Sequence, residues 1–468
     1  MSHCLIRRRM CLLILALIIL VFAVGRAGAF ELRLSGEKLT LSADRVPLQT
    51  ILLRFSDLGV TVRIDPGINP EITASIEDQD VQKGLATVLK TLSYSLVWTS
   101  IQGPTGPLIK LSEIQIFRPG EMECAQPLVA RRTLELVSNP VDGSSFVRNE
   151  ILLRLSPEVD KAAFEALLRR IGGSVVECDT STGVYRIVLA KDTNIPSLVG
   201  RLRNYPGVAT AEPNFAYPVA APFTGQPATA PSSETQKKSA PTGAAPIAVL
   251  DSGLTRTAGL DELVVADFNA IQPGEPLSDS LGHGTQMALI AAGIVTPSGT
   301  AAPSDTTVPI MPIRIFDDNG YTSNFDLMKS IDFAVSQGAR VMSLSWGTET
   351  RSAFLERALD YADAKGLIVV ASAGNEPTGR PVYPAAYASV IGVGALNPEG
   401  KAWKRSNYGD FVTIYAPGFA TLPVGYKGDP GDYAGTSISA AFVAHTIADY
   451  LTRNPTASKQ DALTALSK

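Results

Sequence analysis

At 468 residues the chain is about three times the length of an ordinary domain, so it should fold as several bodies. Hydrophobic residues make up 45% and charged residues 18%, which excludes the low-hydrophobicity, high-charge composition of a disordered protein. A formal net charge of −4 leaves no basic footprint for a phosphate backbone and excludes nucleic acid as a main partner.

Residues 1–29 carry Arg7, Arg8 and Arg9, then an apolar run from Met10 to Val24, then Ala27-Gly28-Ala29. This is the order of a secretory signal peptide cut after Ala29. The alternative is an uncleaved membrane anchor, for which the run falls short of the ~20 residues a spanning helix needs. The leader holds four of the 41 basic residues and none of the 45 acidic ones, so the exported body is the more acidic part. Cys4 and Cys11 leave with it. Cys124 and Cys178 then remain as the thiols of an oxidising compartment, and two cysteines alone leave their pairing open. No CxxC pair or His-rich tract suggests a metal site, so no cofactor is expected and no structural calcium is indicated.

Residues 30–120 alternate strand-like runs (Leu39–Leu41, Val60–Ile64) with helix-like ones (Leu48–Leu58, Val81–Leu92) and read as a small α+β domain. The stretch LTLSADRVPLQTILLRFSDLGVTVRIDPGI and the following ITASIEDQDVQKGLATVLKTLSYSLVW resemble the short N-terminal module of secretins and TonB-dependent receptors. The resemblance implies a Gram-negative envelope, periplasmic or secreted, and a protein or peptide partner docked through this domain.

Residues 121–217 form the next body. From Ile151 the order is strand, helix, strand, strand, helix, strand, with the last strand at Val208–Glu212, which is a ferredoxin-like α+β arrangement. The phrases EILLRLSPEVD, GGSVVECDTSTGVYRIVL and LRNYPGVATAEPNFAY resemble the propeptides of subtilisin-like proteases. That resemblance implies a domain that assists folding and then acts as an intramolecular inhibitor. Residues 218–246 are rich in Pro, Ala, Ser and Thr without periodicity and read as an accessible linker.

Residues 247–468 alternate buried-looking strands (Ile247–Leu250, Val341–Leu344, Leu367–Ala371) with helices (Ser323–Gln337, Ser352–Lys365). This alternation predicts an α/β fold with a parallel sheet and helices on both faces. Functional groups of such sheets gather at strand carboxyl ends and helix N-termini. Four polar groups fall there: Asp251 in VLDSG, His283 in GHGTQMALIAAG, Asn375 in SAGN and Ser437 in GTSISAAFVAH. A serine hydroxyl needs a histidine to take its proton, the histidine needs a carboxylate, and the oxyanion needs a donor. Of three histidines, His3 lies in the leader, and His445 sits about 12 Å along the helix from Ser437, too far to serve it. His283 is the one candidate base.

These motifs, in the order Asp, His, Ser, resemble those of the subtilisin family over about residues 247–455. The resemblance implies catalytic roles for Asp251, His283 and Ser437, an oxyanion role for Asn375, and a substrate strand at Ser345, Trp346 and Gly347 in VMSLSWG. Departures from the family pattern (Gln286, Ser439, Ala441 and His445) remove no catalytic group. The chain thus reads as an exported, self-processing serine endopeptidase acting on polypeptides, cut within about Asn214–Pro246. The alternative is a catalytically silent envelope protein that docks peptides through its N-terminal domain.

Overall fold

The computed structural model describes residues 30–35, 38–128, 133–221, 223–224, 240–256, 259–300, 306–425 and 430–466. The leader and most of the linker lie outside them. The chain divides into two compact units, one running to residue 130 and including residues 160–176, the other of residues 131–159 and 177–468.

In the first unit the elements are β1 (Glu31–Ser35), β2 (Lys38–Pro47), α1 (Leu48–Asp57), β3 (Thr61–Ile64), β4 (Glu71–Asp80), α2 (Val81–Val88), β5 (Ser93–Gly103), β6 (Gly106–Phe117) and β7 (Gln126–Pro127). They form two sheets, β1-β2-β4 and β5-β6-β3-β7, over a core that includes Leu39, Leu52, Phe55, Leu85 and Ile114. Asp80 starts α2 by accepting from the Lys83 N–H. The helix ends at Val88, short of the expected Leu92, because the chain turns there into the β5–β6 hairpin. The alternation of Tyr94, Leu96 and Trp98, which pack against the core, was the overlooked strand signal. A third helix, α3 (Lys161–Ile171), is capped by Asp160 and closed by Gly172, whose φ of 64° a side chain would strain.

The second unit begins with β8 (Leu136–Ser138), β9 (Ser145–Leu155), the second half of β10 (Ser174–Asp179), β11 (Val184–Val188), α4 (Ile195–Leu202), β12 (Val208–Pro218) and β13 (Phe223–Thr224). It continues through β14 (Ile247–Asp251), β15 (Phe268–Asn269), α5 (His283–Ala291), β16 (Ile310–Arg314), β17 (Tyr321–Ser323), α6 (Asn324–Ser336), β18 (Val341–Leu344), α7 (Ala353–Ala364) and β19 (Ile368–Ser372). Last come β20 (Val390–Leu396), β21 (Ile414–Pro417), β22 (Phe419–Leu422), β23 (Gly431–Ala434), α8 (Thr436–Arg453) and α9 (Lys459–Leu466). Seven strands make the parallel sheet in the order β15-β16-β14-β18-β19-β20-β21.

Burial on both faces explains the near-continuous Val, Ile and Ala runs of these strands. α8 carries small residues (Ala440, Ala441, Ala444, Ala448) that let it seat against Val249, Val370 and Val393 in the core. The strand expected to stop at Glu212 instead runs on to Pro218. Ala216, Tyr217 and Pro218 pair antiparallel with Ser323, Thr322 and Tyr321 of β17, a distant partner that overrides the local strand-breaking signal of Pro213 and Pro218. Cys124 is exposed and Cys178 half-buried, and both are free thiols.

Candidate active site

Asp251 is the last residue of β14, and its Oδ1 faces His283 Nδ1 at 2.7 Å while accepting the Ser252 N–H at 2.7 Å. Both side chains are buried. His283 opens α5, whose first turn is held by Asp279. The Asp279 carboxylate accepts from Gly282 N and Thr285 N, each at 2.8 Å, and from Thr285 Oγ1 at 2.6 Å. It also accepts the Ser252 hydroxyl at 2.7 Å, while Ser252 Oγ accepts the Gly284 N–H at 2.8 Å. Strand end and helix start are thereby stapled together. A Cβ at Gly284 would lie 2.3 Å from the Gly253 carbonyl oxygen, so only glycine permits this approach. Asp279 was missed in the sequence, although an Asp just ahead of a helix is the ordinary signal of a cap.

Burial pushes the His283 imidazole down, but the adjacent Asp251 charge and hydrogen bond, with Asp279 nearby, outweigh it and leave the pKa above the ordinary 6.5. Ser437 is the second residue of α8 and is buried, with its Oγ 3.4 Å from the Ser345 carbonyl oxygen. Asn375 follows β19. Its Oδ1 accepts both the Thr436 N–H and the Thr436 hydroxyl at 2.9 Å, which fixes the amide so that its NH2 end is the one turned away from Thr436. This orienting role of Thr436 was not read from the sequence.

Trp346 is fully buried because Tyr217 stacks on it, with ring centroids 5.4 Å apart and planes inclined by 21°. The sequence reading made Ser345–Gly347 the strand against which a substrate adds. In the structure the tail of β12 makes its main-chain pairing with β17, and its Tyr217 ring stacks on Trp346. Beyond β12, the Val219 N–H bonds the Gly320 carbonyl at 2.8 Å, and Val219 and Leu281 both flank Gly320. Four residues on, Phe223 pairs with Ala434, three residues before Ser437. The described residues of the tail thus lie beside Gly320 on one stretch and beside the strand that precedes Ser437 on the next.

Two further side chains of this strand enter helix N-termini. Glu212 accepts from Ser352 Oγ at 2.6 Å and Ala353 N at 2.9 Å at the start of α7, and Asn214 Oδ1 accepts from Phe325 N at 3.1 Å at the start of α6. Asn214 is itself held by Glu150 at 2.6 Å, which also takes the Arg186 guanidinium in a buried ion pair.

His445 stands apart from this site, with its Nδ1 3.0 Å from the Ala291 carbonyl at the end of α5. Burial lowers its pKa, opposed in part by that carbonyl and Asp449. Its neutral form is therefore favoured in the fold: the associated stability is complete above pH 6.5 and is lost as pH falls below it through the depressed value. His445→Gln should flatten the fall of Tm between pH 7 and pH 5 without removing peptidase activity. A variant that stays folded but inactive would show that the base has been misassigned.

Residues 243–467 match the subtilase family and residues 135–214 match the fervidolysin N-terminal prodomain. The chain is 27% identical to a thermophilic serine proteinase of Bacillus sp. (strain AK1) over 67% of its own length and 80% of that protein. It is 32% identical to thermitase of Thermoactinomyces vulgaris over 43% of its length and 72% of that enzyme. The crystal structure of fervidolysin from Fervidobacterium pennivorans, a keratinolytic enzyme related to subtilisin, shares the fold, with a TM-score of 0.54 at 24% identity over 70% of this chain and 58% of that one. The fold and the ordered motifs thus define a serine peptidase preceded by a propeptide. This chain belongs to the subtilase family.

Proposed function

We propose that the protein is an exported serine endopeptidase made as a self-processing zymogen, with Ser437, His283 and Asp251 as its catalytic residues. Ser437 Oγ attacks the scissile carbonyl while His283 Nε2 takes the hydroxyl proton. Asp251 keeps the other imidazole proton on Nδ1 and stabilises the imidazolium. The Asn375 NH2 group and the Ser437 N–H receive the oxyanion. His283 then gives its proton to the departing amine, leaving an acyl-Ser437 ester that water hydrolyses by the same relay in reverse. Asn375→Ala should lower kcat by about 10²–10³ with KM little changed, because the donor acts on charge that develops only in the transition state.

The observation that carries the zymogen reading is that the tail pairs with β17 at Ala216–Pro218, bonds Gly320 through Val219, and pairs again at Phe223 with Ala434, three residues before Ser437. Glu212 and Asn214, seated in two helix N-termini, anchor it there as an inhibitor. Val219 is still bonded to Gly320, and the bond after Ala221 would present the imide nitrogen of Pro222, a poor leaving group with no N–H. The bond between Ala220 and Ala221 is therefore the one assigned to self-cleavage. A fluorophosphonate probe should label the processed wild type and not Ser437→Ala. Absence of label on processed protein would sink the assignment.

Export rests on the leader-like residues 1–29. The N-terminal unit is read as a docking module for a protein or peptide of a Gram-negative envelope, on its resemblance to secretin and TonB-receptor modules. Among the described residues no helix is long and apolar enough to cross a membrane.

A further inference from the structure

Beyond the assigned cut, the tail makes contacts that the hydrolytic chemistry does not use. Phe223 and Thr224 add antiparallel to Ala434 and Tyr433 of β23, completing a small sheet in the order β13-β23-β22. The Arg405 guanidinium carbon lies 3.5 Å from the centroid of the Phe223 ring. Trp403 meets that ring edge-on, with centroids 5.5 Å apart and planes at 71°. Trp403 in turn rests on Phe419 at 5.7 Å and 83°.

The receiving groups are held independently of the tail. The Trp403 N–H bonds the Ala395 carbonyl at 2.8 Å, the Trp403 carbonyl accepts from Ser406 N at 2.9 Å, and Phe419 is paired with Ala434 in β22–β23. Trp403 and Phe419 are half-buried and Arg405 is exposed, so an aromatic wall and a cation stand on a surface beside the strand that leads into Ser437. Without the tail, β23 presents an open edge to an extended peptide.

We propose that β23, Trp403, Arg405 and Phe419 form a substrate site on the leaving-group side, selecting extended polypeptides with an aromatic side chain at the third residue after the cut bond. The register rests on the Ala220–Ala221 assignment above, which makes Phe223 that third residue. The main chain adds to the β23 edge. A ring fits between the Trp403 edge and the Arg405 cation, whose attraction to a π-face an aliphatic side chain does not reproduce.

The test uses the self-processed enzyme carrying Phe223→Ala, so that its own N-terminal segment does not compete for the site. It is given a peptide series identical except for Phe, Leu or Ala at the third residue after the cut, with each cut located by product mass. The expected result is a kcat/KM for Phe about tenfold above that for Ala, carried mainly in KM, with Leu well below Phe. Trp403→Ala should bring the Phe/Ala ratio close to one, Trp403→Phe should restore part of it, and the surface change Arg405→Gln should reduce it even if Trp403→Ala fails to fold. A flat series cut at the expected bond overturns the site while leaving the peptidase assignment standing. A preference that falls on the second or fourth residue overturns the register and with it the assigned processing bond.

Discussion

Replacing Ser437 by Ala should lower amide-bond turnover by about 10⁶, the scale expected when the nucleophile of a serine, histidine and aspartate unit is removed. The residue sits on the first turn of α8, a helix buried among the sheet strands, and Ser→Ala removes one oxygen without changing the helix or its packing. The folded state should therefore be retained, so the loss belongs to chemistry and not to unfolding. Residual activity at the level of bound substrate beside an intact Asn375 donor is expected. Steady-state hydrolysis of a peptide amide, with Tm measured on the same samples, checks this. Activity within tenfold of wild type would remove Ser437 from the mechanism.

Asp251→Asn should lower kcat by about 10⁴, because the amide presents an N–H where His283 Nδ1 needs an acceptor and so favours the wrong tautomer. The same substitution makes a second, independent statement about pH. In the wild type His283 titrates above 6.5, so the acid limb of kcat/KM, where the base becomes protonated, lies above pH 6.5 and activity rises as pH increases through it. Without the Asp251 charge, burial is left as the dominant influence and favours the neutral ring, so the limb should move to lower pH. The pH profile of the residual activity measures this. A limb that stays in place would mean that Asp251 does not act on the group titrated.

What could be read from the sequence was local. Asp251, His283, Asn375 and Ser437 each sit where a buried strand ends or a helix begins, and short motifs mark those points. The structure brings Asp251 and His283 into hydrogen-bond contact and seats Ser437 one residue after Thr436, which orients Asn375. The parallel sheet was visible in its alternation of apolar runs and helices. Features joined across long separations were not. The extension of β12 depends on β17, more than 100 residues later, and Glu212 reads as a strand end and Asn214 as the start of the processing range until their helix partners are seen. The motif alone assigns Trp346 to the substrate strand, and its stacking on Tyr217, more than 100 residues earlier, has no local signal. The pairing of Trp403 and Arg405 with Phe223 was not legible in the sequence, since nothing local ties them together.

The central claim is that the chain cuts itself where its tail crosses the site, and the intact masses of wild type and Ser437→Ala, purified from one protease-deficient host, test it most directly. The wild type should yield a catalytic fragment whose mass and N-terminal sequence begin at Ala221, while Ser437→Ala should keep residues 220 and 221 joined. A Ser437→Ala protein cut at the same bond, or a wild type that digests substrate while remaining whole, would contradict it.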